Sequence, residues 1–254
     1  MNQSVKPLTQ SKAVWLCAAA AISPFFAGCG GEDPAAEAAA AARLKELGAL
    51  VVMDGAREHV ASVNFAAIRD EEKRAAAFEQ LTKLPYLAAL DISRTNPTAE
   101  HLKGVASAKR LRSLTASGVP LTDDGAKLLS ELSGVESLQL AGSEITSEGL
   151  AALCKCRQVK VLNLSGSNIN GGLEPLSRLP ELNWLVLNDV TVEDDSLAAL
   201  ANAGSLARLS LNGSSYPTES LDRLAAAKPA MQIDRDPAES PAETESAETE
   251  SAEE

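Results

Sequence analysis

"VKVLNLSGSNI", residues Val159 to Ile169, carries the spacing that decides the fold. Leu162 and Leu164 fall on one side of an extended chain and Asn163 on the other, as a period of two requires. Val159 precedes that pair and Ile169 follows it, with the small hydroxyl of Ser167 in between. The same template fits "LAALDI" at Leu87, "LRSLTA" at Leu111, "VESLQL" at Val135, "LNWLVL" at Leu182 and "LARLSL" at Leu206. A weaker copy, "VASVNF", starts at Val60, and a last fragment ends on Met231 and Ile233. The starts 60, 87, 111, 135, 159, 182 and 206 are separated by 27, 24, 24, 24, 23 and 24 residues. A nearly constant step in the twenties marks a solenoid of stacked units.

Each unit holds a strand and then a helix. A second apolar residue follows each strand: Leu121, Ile145, Ile169 and Val192, with Tyr216 in the same column. Thr122, Thr146 and Thr218 then stand as N-caps, and Asp123, Asp124, Glu148 and Glu219 suit the positive end of a helix. Leucines at helical spacing come next, among them Leu128, Leu129 and Leu132, then Leu150 and Leu153, then Leu221 and Leu224. One such unit cannot bury its apolar side alone, but a stack shares a continuous core. Strands stacked in this way run parallel. Helices are bulkier than strands, so the stack is expected to curve with its strands on the concave face and its helices on the convex face.

From Val60 to Ile233 the chain resembles the leucine-rich repeat family, whose pattern runs leucine-x-x-leucine-x-leucine-x-x-asparagine-x-leucine. The resemblance implies an α/β solenoid of about seven repeats of roughly 24 residues. The asparagine column departs from the family and reads Thr95, Val119, Ser143, Ser167, Val190 and Ser214. In the family that asparagine bonds backbone between adjacent turns. A Thr or Ser hydroxyl supplies part of that bonding and a Val only packs, so Ser167 is expected to satisfy buried backbone.

The ends read differently. Lys6 and Lys12 form a basic start, and Ala13 to Ala27 is an apolar run broken by Ser23-Pro24, short for a bilayer span. "FFAGC" then resembles the lipobox of bacterial lipoproteins, with Phe26 in place of the usual leucine. That resemblance implies cleavage before Cys29, lipidation of Cys29 and a membrane anchor on an exported protein. An ordinary secretory signal is the alternative. The predicted organisation is residues 1–28 as signal peptide, 29–48 as an Ala-rich spacer or capping helix, 49–233 as the repeat domain and 234–254 as an acidic tail. The stretch from Ala35 to Leu47 reads as a helix stopped by Gly48. "ALVVMDGAREHVASVNF" reads as a hairpin turning at Asp54-Gly55.

Charge and composition exclude some roles. The formal net charge is -12, and residues 236–254 hold eight acids and no base, leaving about -4 for the rest. Such acidity argues against nucleic-acid binding. The tail has no apolar residue larger than Ala, so it is expected to be disordered and solubilising, or a handle for a basic partner. With aromatics at 3%, the core must be aliphatic.

Catalytic constellations are not evident. His59 precedes the first repeat strand and His101 falls on the helix side of the second repeat, remote from a shared cleft with Cys154. Cys156 occupies the column of Leu132 and Leu179 and reads as a small buried hydrophobe. The Asp pairs at 123–124 and 194–195 read as helix-start acids. No cofactor or metal site is expected, and the chain is not expected to be an enzyme.

Function is expected on the exposed strand columns. Trp184 sits there beside Val161 and Arg208, with Val186 further along its own strand. Trp and Arg dominate interface energetics. Lys160, Asn163, Gln139 and Asn183 supply a polar surround, as does Asn188. The expected role is a non-catalytic, lipid-anchored protein-binding scaffold of the bacterial cell envelope. The alternatives are a carbohydrate or cell-wall binder, with asparagines and Trp184 on a polysaccharide, and a passive envelope spacer.

Overall fold

The computed structural model describes residues 33–167, 169, 172–192 and 195–236. The signal segment, Cys29 and residues 237–254 of the acidic tail lie outside the described residues. Within them the strands form one nine-stranded sheet in strict chain order. The elements are helix α1 (Pro34–Leu47), strands β1 (Leu50–Met53) and β2 (Val60–Asn64), helix α2 (Glu71–Gln80) and strand β3 (Ala89–Asp91). Next come α3 (Ala99–Ala106), β4 (Ser113–Thr115), α4 (Asp123–Leu129), β5 (Ser137–Gln139), α5 (Ser147–Leu153) and β6 (Val161–Asn163). The last are β7 (Trp184–Val186), α6 (Ser196–Ala199), β8 (Arg208–Ser210), α7 (Thr218–Ala227) and β9 (Gln232–Asp234). A 3-10 turn, Glu174–Arg178, replaces the helix after β6. The chain is thus an α/β leucine-rich-repeat solenoid, with the seven template copies as β2 to β8 and the last fragment as β9.

Register explains why the period is so regular. Val63, Leu90, Leu114, Leu138, Leu162, Leu185, Leu209 and Ile233 pair straight across successive parallel strands. All point into the core, and all but Ile233 are fully buried. Burial of each such side chain stabilises by about 1.5–3 kcal/mol. The two residues flanking each central leucine face the other way and line the open face of the ladder. Backbone bonds continue past the strands, from Ile92 N to Thr115 O, Ala116 N to Gln139 O and Leu140 N to Asn163 O.

The hydroxyl column behaves as its chemistry requires. Ser167 Oγ accepts from Ser143 N at 3.1 Å and lies 2.9 Å from Ser143 Oγ, tying two turns together. Thr95 Oγ1 donates to Ile92 O at 2.6 Å, while Val119 and Val190 are simply buried. One residue ahead of it runs a left-handed column that the sequence reading did not identify. Gly118, Gly142, Gly166 and Gly213 have positive φ, and so do Arg94 and Asp189 at the equivalent places.

Helix starts differ from expectation. Thr146 caps α5, accepting from Glu148 N, but Thr122 makes no side-chain cap and α7 begins at Thr218 with Pro217 before it. A Pro N-cap offers no side-chain acceptor, so Thr218 is a first-turn residue rather than a cap. The N-terminal end is closed by α1, whose Ala40, Ala41, Leu44 and Leu47 join the core. Gly48 ends that helix in the left-handed region. The hairpin forms, with β1 antiparallel to β2, but its turn is longer than the two residues Asp54-Gly55. Asp54 Oδ1 instead accepts from Glu58 N at 2.9 Å and His59 N at 3.4 Å, closing a wider loop. Among the described residues no helix is long and apolar enough to cross a membrane.

Candidate functional site

The ladder face changes character along the stack. Its first strands present small or polar residues in the column of Ser62, Ala89, Ser113 and Ser137. The same column continues as Val161, Trp184 and Arg208, which pair in register across β6, β7 and β8. All three are half-buried. The column two residues along reads Gln139, Asn163, Val186, Ser210 and Asp234.

The large side chains are held in a fixed arrangement. Trp184 Nε1 donates to Ser210 Oγ at 3.3 Å, so the indole reaches diagonally over the neighbouring strand. The Arg208 guanidinium carbon lies over that ring, 4.8 Å from its centroid, a cation–π geometry. Arg208 is steered there by Asp234, whose Oδ2 accepts from Arg208 Nε at 2.8 Å. Val186, expected to be an exposed contact, is only 8% exposed. The correction has a physical cause: Ser210 is the register partner of Val186, so the indole that reaches Ser210 is placed to cover it. Val186 is therefore buried and is not a contact residue of the face.

The polar surround is ordered in part by itself. Asn163 Nδ2 donates to Gln139 Oε1 at 3.0 Å, and Asn163 Oδ1 accepts from Ser165 N and Ser165 Oγ. Along the sheet margin Glu136 accepts from Arg112 Nη1 at 3.2 Å and from Lys160 Nζ at 2.9 Å. The hydrogen bond and charge of Glu136 raise the Lys160 ammonium above the usual lysine range. Asn183 is exposed beside Lys160 on this margin. Ser210, Asp234 and Glu136 are therefore site residues that sequence reasoning left unassigned. Column position could have found Ser210 and Glu136. Asp234 lies in a strand read only as a terminal fragment.

The titratable residues considered for chemistry do not meet. His101 stacks on Phe78 with ring centroids 4.5 Å apart and its Nδ1 accepts from Thr98 N. His59 is bound to Glu37 and stacked on Tyr86. Cys156 is fully buried, as its column suggested, and burial pushes its thiol up to about 11. Cys154 is pushed up to about 11 by burial as well. Among the described residues no group of three or more His, Cys, Asp or Glu side chains could hold a metal ion.

The sequence matches no protein-family model. It matches no curated protein sequence. Among solved structures it is similar to internalin C2 of Listeria monocytogenes, at 19% identity and a TM-score of 0.47, over 70% of this chain and 81% of that one. It is also similar to the internalin inlF of Listeria monocytogenes, at 20% identity and a TM-score of 0.46, over 63% of this chain. A third is the leucine-rich-repeat protein LIC12759 of Leptospira interrogans, at 18% identity and a TM-score of 0.46, over 61% of this chain. The chain spans about half the length of the latter two, 51% and 45% respectively.

Proposed function

We propose that this chain is a protein-binding scaffold that seizes its partner on the ladder face around Trp184 and Arg208. The observation that carries the reading is the clamped indole. A half-buried tryptophan, fixed by Ser210 and stacked under Arg208, is a rigid anchor in a column whose first strands carry only Ser and Ala. Interfaces concentrate their energy in such preorganised Trp and Arg groups. Val161, Lys160, Asn163, Gln139 and Asn183 form the surround. The Arg208 guanidinium covers a ring face that a sugar would need for stacking, which favours a protein partner over a polysaccharide.

In this reading the scaffold is exported and tethered by lipid on Cys29, facing the cell envelope. More than one acyl chain gives a stable anchor where a single chain is marginal. Mass spectrometry of the mature N-terminus is expected to find an acylated Cys29, and an unmodified Met1 would refute the tether. For the face, crosslinking in intact cells is compared between wild type and Trp184→Ala. Capture is expected to fall at least about tenfold, the loss of a typical hot spot, with the circular dichroism of the fold retained. Undiminished crosslinking by the variant would remove Trp184 from the interface.

A further inference from the structure

The helix-to-strand edge of the solenoid is basic, although the chain as a whole is acidic. Lys109, Arg110 and Arg112 lie between α3 and β4, and Lys155, Arg157 and Lys160 lie between α5 and β6. All six are exposed, and the intervening segment contributes only Glu131 and Glu136 as acids. Helix-dipole complementarity does not account for the cluster. Arg112 and Lys160 stand directly before their strands, beyond the last turns of the helices, where the dipole has faded. The cations also recur in register. Lys109 and Arg157 occupy one position two repeats apart, and Arg112 and Lys160 occupy another, sharing Glu136 between them.

We propose that the acidic segment 237–254 of this same chain docks on this edge. Charge complementarity is the first ground: the segment carries seven carboxylates, Glu239, Glu243, Glu245, Glu248, Glu250, Glu253 and Glu254, and no base. Spacing is the second. Cations two strands apart are separated by about 9.4–9.8 Å. Glu245 to Glu248 and Glu250 to Glu253 are three-residue steps, which in a polyproline II chain return to the same face about 9.3 Å further on. Reach is the third ground. The segment leaves after Asp236, close to β9, five strands or about 24 Å from β4. Its 18 residues extend to about 60 Å. The edge shares Lys160 with the surround of Trp184, whereas Lys155 and Arg157, which the test reverses, lie outside that surround.

The test uses a labelled peptide of residues 237–254 and fluorescence anisotropy. The full chain and a chain ending at Asp236 are titrated at low salt. The shortened chain is expected to bind the peptide at least about tenfold more tightly than the full chain, because in the latter the site is already occupied. Lys155→Glu with Arg157→Glu, both exposed positions, is expected to weaken peptide binding to the shortened chain about tenfold, as is raising the salt to about 0.5 M. Reversing Lys73, exposed in the first turn of α2 and so at the other end of the helices, is expected to leave binding unchanged. Equal binding by the full and shortened chains, or indifference to the 155/157 reversal, overturns the proposal.

Discussion

Ser167 shows how little separates a structural residue from a failed one. Its hydroxyl is buried and faces three groups of the preceding turn: Ser143 N, Ser143 Oγ and Leu140 O. The side chain that takes the place of the family's asparagine therefore supplies a shorter version of the same tie. Replacing Ser167 by Ala removes the partner of a buried N–H, which costs about 1–3 kcal/mol. Urea unfolding is expected to show that loss as a lower midpoint with an unchanged slope. A midpoint within error of wild type would mean the bond contributes nothing net. The hydroxyl column was legible in the sequence because the repeat period aligns it. The left-handed column beside it was not. Arg94 and Asp189 hide it, since neither residue type announces a positive φ as the glycines of the other repeats do.

Between elements, the decisive bonds cross from one repeat to the next. Asp123 is a first-turn acid of α4, yet its carboxylate accepts from Thr146 N at 2.8 Å, Thr146 Oγ1 at 2.7 Å and Gly149 N at 3.0 Å. It caps α5. A Cβ on Gly149 would stand 2.3 Å from that carboxylate, so glycine is required for the approach. Local pattern located both helix starts, but a bond between them depends on how the coils stack, which no single repeat encodes. Burial acts to raise the Asp123 pKa. The hydrogen bonds from Thr146 and Gly149, with the charge of Lys127, outweigh it and hold the carboxyl below its usual value. A lowered folded pKa contributes stability that is complete above the unfolded value of about 4 and is lost as pH falls through the folded one. Asp123→Ala is thus expected to cost about 1–2 kcal/mol at neutral pH, the range of a lost cap. The difference from wild type should shrink below about pH 4. Urea midpoints taken on both sides of that pH check it, and a constant difference would assign the effect to packing rather than to the carboxylate.

At the scale of the whole molecule, a stack of coils needs its ends closed, and the N-terminal closure combines the apolar packing of α1 with one buried acid. The sequence disclosed the capping helix through its alanines and its Gly48 stop. It also placed Trp184, Val161 and Arg208 on one face, because columns follow from period alone. Depth was beyond it: Val186 is 8% exposed, and the Trp184 indole reaches across to Ser210, the register partner of Val186. Glu37 was hidden for a related reason: an acid in a first turn ordinarily faces water and favours the helix dipole. Here it is 4% exposed, accepts from Val60 N at 2.7 Å and binds His59 Nδ1 at 2.9 Å, pinning α1 to the start of β2. Glu37→Ala leaves the buried N–H of Val60 without its partner, at a cost of about 1–3 kcal/mol. Each coil touches only its neighbours, so that loss is expected to stay local. Native-state hydrogen exchange should show faster opening of α1, β1 and β2, with protection of β6, β7 and β8 unchanged. If all strands lose protection equally, the solenoid unfolds as one cooperative unit and Glu37 secures the whole stack. If none does, the cap is held by its apolar contacts alone.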